Sequence, residues 1–371
     1  MLRSIQIARA VAVIGVMLCH LEWVRNDIQG ATTPLGEGWL LLGHGVDLFF
    51  CVSGFIIAYL LAENQMSLRD FLSRRVLRIY PLYCAFTLSY VLAVFLACRV
   101  GQRDNCPRGF HPIEWASSLL ILPQKGEPLL SVGWSLEHEV IFYAIAGIVC
   151  ISLRMSIRRL VQVILLMGGI GVVAHVLAPQ LLGVNLWDYH LFSLYHFEFA
   201  AGLAVFLMKD KLANANVVLL TGLGALMFVA TGVISEWMPG AAGDIQIDRA
   251  GWSGLVAVLG YAVASAAILS GLLSAEAKGW FRNGTAWTPI VAGLVLIGNA
   301  SYALYLVQPL AYGVIGKIYR TAHVDATFLI PALAATVCVT LIAGAAWFAL
   351  IERPFLRMAH RALMPAAQAS T

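Results

Sequence analysis

Long apolar runs alternate with short polar connections along the whole chain. Runs long enough to cross a bilayer as helix, which takes about 20 residues, fall near 5–24, 39–62, 76–98, 135–153, 157–178, 190–208, 215–234, 252–273, 291–313 and 327–351. This pattern predicts an all-α polytopic membrane protein with about ten transmembrane helices. Composition strengthens the reading. The chain is 60% hydrophobic and only 12% charged, with a mean hydropathy of +0.81, well outside the soluble range. The first run reads as a retained span, because it is too long for a signal-peptide core and no A-x-A-like site follows it.

Basic residues choose the orientation. With the N-terminus cytoplasmic, 15 lysines and arginines fall in inner segments, among them Arg3, Arg74, Arg75, Arg78 and Arg158, and 8 fall in outer ones. The bias satisfies the positive-inside rule and accounts for the net charge of +4, so no nucleic-acid partner is implied. There is no internal or inverted repeat of the kind found in many transporters. The longest loop, about 99–134, lies outside, and loops of that length usually carry function. Cys98 and Cys106 flank it and can pair in an oxidising compartment. The seven cysteines show no C-x-x-C pair and no zinc-type spacing, so no metal is expected.

Polar residues inside the spans then stand out, since they are costly in hydrocarbon and usually functional. Arg9 and His20 share the first span. Eleven helical steps return His20 to within about 20° of the Arg9 face, about 16 Å further along. Each alone also fits a plainer role, Arg9 snorkelling to the interface and His20 as a satisfied core histidine. Asp47 falls in the outer half of the second span and Glu139 at about the depth of His20 in the fourth. His196 and Glu198 lie in the sixth span, and Ser301, Tyr302, Tyr305 and Gln308 in the ninth. Singly these can be interhelical hydrogen-bonding groups; several converge on one outer layer. At the inner surface Arg75 and Arg78 lie one turn apart, a spacing that suits bidentate phosphate binding and also fits ordinary positive-inside topology.

Six ordered blocks carry a resemblance. They are Arg9 with His20; Gly45-Val46-Asp47-Leu48-Phe49-Phe50 with Ser53-Gly54-Phe55; Arg75-Val76-Leu77-Arg78-Ile79-Tyr80-Pro81; Trp134-Ser135-Leu136 with Glu139 and Phe142-Tyr143; Ser301-Tyr302-Ala303-Leu304-Tyr305-Leu306; and Glu352-Arg353-Pro354. Together they resemble the signature blocks of the membrane acyltransferase-3 family over about residues 3 to 357. The expected layout is one transmembrane domain, 1–357, and a cytoplasmic tail, 358–371. The chain resembles the stand-alone members that O-acetylate exopolysaccharide or lipopolysaccharide sugars. Two positions depart from the pattern: Gln6 stands where the family usually has an acid, and Gln308 where it often has a histidine.

The resemblance implies transfer of an acyl group, usually acetyl, from cytoplasmic acyl-CoA to a sugar hydroxyl of an envelope or extracellular glycan. Acetyl-CoA is then the co-substrate, a polysaccharide or lipid-linked sugar the acceptor, and the bacterial inner membrane the location, with both termini cytoplasmic. His20 is the expected base, or itself a transient acyl carrier. Glu139 is its first-choice carboxylate partner and Asp47 the second. Arg9 is expected to stabilise the thioester oxyanion or hold part of CoA, and Arg75 and Arg78 to contact CoA phosphates. The alternatives are a glycan transporter or flippase using the same charges, and a non-catalytic envelope assembly subunit.

Overall fold

The protein is described here by a computed structural model covering residues 2–31, 41–63, 66–99, 112–124, 127–178, 190–238, 251–282, 284 and 288–363. Among these residues there is no β-strand. The first span is α1 (Arg3–Cys19), continued after a break at His20 by α2 (Leu21–Arg25). Then come α3 (Gly45–Glu63), α4 (Leu68–Arg99), the short α5 (Pro112–Leu119), α6 (Trp134–Gly147) and α7 (Ile157–Val172). The second half holds α8 (His196–Leu212), α9 (Val217–Trp237), α10 (Gly251–Ala277), α11 (Thr288–Asn299), α12 (Ser301–Thr321), α13 (Leu329–Trp347) and α14 (Arg353–Leu363).

Each apolar run is helical over most of its described length, as lipid demands of a backbone that must satisfy its own hydrogen bonds. Eight of the described helical segments are long and apolar enough to span. The sixth run is shorter: α8 has 17 residues. The ninth is not straight, since α11 and α12 meet at Ala300 with a bend of 70°. The segment expected as a tail from 358 begins inside a helix, because α14 runs on to Leu363. Cys98 is disulfide-bonded; Cys106, its expected partner, lies outside the described residues.

The first span sits at the centre, packed against α3, α10, α11 and α12. Glycines bring the backbones together, as small residues do between membrane helices. A Cβ on Gly202 of α8 would lie 1.8 Å from the Cys51 carbonyl oxygen of α3, and one on Gly298 of α11 would lie 2.0 Å from that of Gln6 in α1.

The segment before α6 folds back into the protein. Ser118 Oγ donates to Gln124 Oε1 at 3.1 Å, and Gln124 Nε2 donates to Glu137 Oε1 at 2.9 Å. Glu137 Oε2 in turn meets His190 Nε2 at 2.8 Å, both side chains buried. Leu130, Val132 and Gly133 are buried too, so α6 starts well inside the protein surface.

Candidate active site

Five helices enclose a cavity of about 70 Å³. That is room for a few waters at about 10–15 Å³ each, or for the reacting end of a substrate. α1 contributes Arg9, α3 Ser53, α4 Arg78, α6 Ser135, Glu139 and Tyr143, and α12 Ser301, Tyr302 and Tyr305. Hydroxyls organise the wall. Ser53 Oγ donates to Glu139 Oε1 at 2.6 Å, and Tyr143 donates to the same oxygen. Tyr302 donates to the Ile79 carbonyl and Tyr305 to the Val132 carbonyl, each at 2.8 Å, which ties α12 to α4 and to the start of α6.

Arg9 is 6% exposed, so it does not snorkel. Among the described residues its guanidinium makes no hydrogen bond or ion pair within 4 Å. Its charged neighbours, Arg78, Glu139 and Glu352, are farther off. A desolvated cation without a direct partner is costly, and this one lines the cavity. Arg75 stands behind the wall, hydrogen-bonded to Tyr143 with its guanidinium 5.6 Å from that ring's centroid and its Nε and Nη1 buried without a hydrogen-bond partner among the described residues. The donor set therefore suits an anionic guest.

His20 occupies the break between α1 and α2. Its Nδ1 is 2.8 Å from the Gln308 amide nitrogen of α12, and its ring stacks on Trp23 at 4.0 Å with 11° between planes. With the amide nitrogen inward, Nδ1 accepts; with the amide turned over, the carbonyl takes Nδ1–H and Nε2 is left free. In both cases Gln308 fixes the ring. Gln308→Leu removes the hydrogen bond to His20, worth about 0.5–1.5 kcal/mol, together with a longer one to the Val16 carbonyl, so acyl transfer should fall about tenfold or less at unchanged protein level, as read in membranes normalised by immunoblot.

Arg9 and His20 both turn toward α12, Arg9 beside Ser301, Tyr302 and Tyr305 and His20 onto Gln308. The expected Glu139 to His20 pair is not formed: Glu139 is held by Ser53 and Tyr143 on the Arg9 cavity. Counting depth from the end of a loop places Glu139 too near the surface, because the segment before α6 is itself buried. Asp47 is not bonded to His20 either; its Oδ2 meets His44 Nδ1 at 3.2 Å, and the His44 ring stacks on Tyr261. His196 Nε2 contacts the Leu191 carbonyl at 2.7 Å, away from this cavity. Gln6, the residue in the family's acidic position, presents its carbonyl to Gly298, and carboxylates near Arg9 come from other helices. Ser53 and Glu352 stand in two of the signature blocks, but sequence reading gave neither a role: Ser53 lines the cavity, and Glu352 lies near Arg9 without lining it. Glu352, the one acid in the last span, had that much signal.

These features define a multi-pass membrane protein with a charged chamber inside its helix bundle. Residues 2–348 match the Acyltransferase domain family, and the chain belongs to that family: it is a multi-pass membrane acyltransferase. It is 27% identical over 349 residues to the exopolysaccharide production protein ExoZ of Rhizobium meliloti (strain 1021), covering 88% of this chain and 93% of that protein. It is also 25% identical over 194 residues to a putative O-acetyltransferase of Staphylococcus aureus (strain COL), covering 48% of this chain and 29% of that longer protein. No solved structure matches the chain.

Proposed function

We propose that the protein moves an acyl group, acetyl first among them, from cytoplasmic acetyl-CoA to a sugar hydroxyl of an extracellular or envelope polysaccharide. It does so in the bacterial inner membrane with both termini cytoplasmic. The observation that carries this reading is the unpartnered Arg9 guanidinium in a buried cavity, with His20 farther along the same side of the same span. The names of the relatives, one an exopolysaccharide protein and one a putative O-acetyltransferase, support the glycan and the acetyl group.

In this reading Arg75 and Arg78 take CoA phosphates at the inner end of the bundle. The extended pantetheine arm runs along α1 past Arg9, which attracts the thioester oxygen as it gains charge. Ser53 and Tyr143 hold Glu139 opposite, keeping the chamber polar but not over-charged. His20, its Nδ1–H given to the Gln308 side-chain carbonyl, takes the proton from the sugar hydroxyl at Nε2. The hydroxyl oxygen bonds to the thioester carbonyl carbon, the carbon–sulfur bond breaks, and the departing thiolate recovers the proton from the imidazolium. Asp47, held by His44, plays no chemical part.

Purified protein in vesicles, given radiolabelled acetyl-CoA on the face carrying Arg3, should pass label to a glycan acceptor. Label that stays in CoA while the glycan crosses the vesicle wall would replace this reading with transport. For Arg78→Ala, loss of one charge-assisted contact of about 1.5–3 kcal/mol predicts a donor KM raised about ten- to hundredfold with the acceptor KM unchanged. Arg78→Lys should not restore it, since an ammonium cannot bind bidentately.

A further inference from the structure

A second cavity, of about 720 Å³, lies between α4 and α12 on the Trp23 side of His20. The two helices touch where Tyr302 bonds the Ile79 carbonyl and part farther along, with Tyr90 and Ala93 on one wall and Pro309 and Tyr312 on the other. Trp23, the residue stacked on His20, lines it while remaining 42% exposed. Pro309 follows Gln308, whose amide holds His20. The cavity thus ends on Trp23, which stacks on the imidazole, and on the residue next to the one that bonds it.

Its charges balance. Arg320 pairs with Asp27, while Lys317 and Glu127 add one charge of each sign. A strongly anionic or cationic guest gains little from such a set, and an acyl chain would strand Glu127 and Lys317 against hydrocarbon. A neutral ring rich in hydroxyls meets all of it: its C–H face lies on the exposed indole, and its hydroxyls donate to the carboxylate and accept from the ammonium. The volume falls in the ~300–1,000 Å³ range of small-molecule sites, ten times that of the chamber beside Arg9.

We infer that this cavity is the acceptor subsite, holding a saccharide ring on Trp23 with the hydroxyl to be acylated turned toward His20. The inference rests on the acyl transfer proposed above and adds the surface that selects the sugar. Val314 and Ile318, at 50% and 56% exposure, also line the cavity, so it opens between two helices at the outside of the bundle. A sugar reaches such an opening on a lipid carrier or as part of a free glycan, and the ring chemistry is the same.

The test uses Ala93→Trp, which fills the cavity away from His20, and Glu127→Gln, an exposed change that leaves packing intact. The acceptors are lipid-linked oligosaccharide extracted from host membranes and the same oligosaccharide released by mild acid. We expect both variants to raise the acceptor KM about tenfold or more with either acceptor, at unchanged donor KM, and to weaken oligosaccharide binding measured calorimetrically without donor. Trp23→Phe should keep more acceptor affinity than Trp23→Ala. Unchanged acceptor KM in both Ala93→Trp and Glu127→Gln would overturn the assignment. So would a rise confined to the lipid-linked acceptor, which would make the cavity a site for the carrier. Wild-type protein that binds oligosaccharide but transfers no label would instead sink the acyl-transfer reading and leave the saccharide site standing.

Discussion

His20→Ala is expected to lower acyl transfer by about 10²–10⁴-fold, the usual loss when a general base is removed, in protein that still inserts and folds. Alanine is well tolerated in an apolar helix, so insertion does not suffer. The direct structural loss is one hydrogen bond to Gln308 and one stacking contact with Trp23, too little to unfold a bundle of this size. Acetylated glycan would be measured in cells matched for protein level. Wild-type acetylation in a well-expressed variant would remove His20 from the chemistry.

The second large effect is expected at Arg9. Arg9→Met keeps an unbranched apolar stem, shortens the side chain by the guanidinium end and relieves a desolvated charge, so the bundle should be at least as stable as wild type by thermal unfolding in detergent. Turnover should nonetheless fall about 10²–10³-fold, the scale found when one oxyanion-stabilising group is lost. The loss should appear in kcat more than in donor KM, which separates Arg9 from Arg78. Glu139→Gln is the gentler companion: the amide still accepts from Ser53 and Tyr143 and only the charge opposite Arg9 goes. An Arg9→Met variant with near-normal kcat would mean that the guanidinium serves packing or topology alone.

Particular residues show how far the sequence was legible. The spans could be read because each apolar run must be helix in lipid, whatever its neighbours are. The break at Ala300 was not read: hydropathy does not register direction, and the short Gly298-Asn299 signal before it sits inside a run that reads as one continuous span. The helical period correctly turned Arg9 and His20 toward one neighbour, because that geometry is local to α1. The partner of His20 could not be read, because the depth of α6 depends on how residues 112–124 and 127–133 fold back, through Gln124, Glu137 and His190, and that is a contact among distant segments. The same distance in sequence hid Ser53, which looks like one more small residue of a span until α6 lays Glu139 against it. Gln308 looked like the loss of a candidate base and proves to be the group that holds His20.

The bend at Ala300 has an electrical consequence. α12 starts inside the protein, with no side chain capping its first turn, and Ser301 and Tyr302 lie on the wall of the Arg9 chamber. The Ser301 hydroxyl is buried there without a hydrogen-bond partner. First-turn amides of a helix lack intrahelical acceptors, and a helix start carries roughly half a positive charge. At the junction this amide start meets the carbonyl end of α11 across Ala300 alone, so the two half-charges largely offset, and what the bend leaves on the chamber wall is a set of directed donors that substitution of any arginine leaves in place. Directed donors of this kind can meet a carbonyl oxygen without adding net charge to the membrane interior.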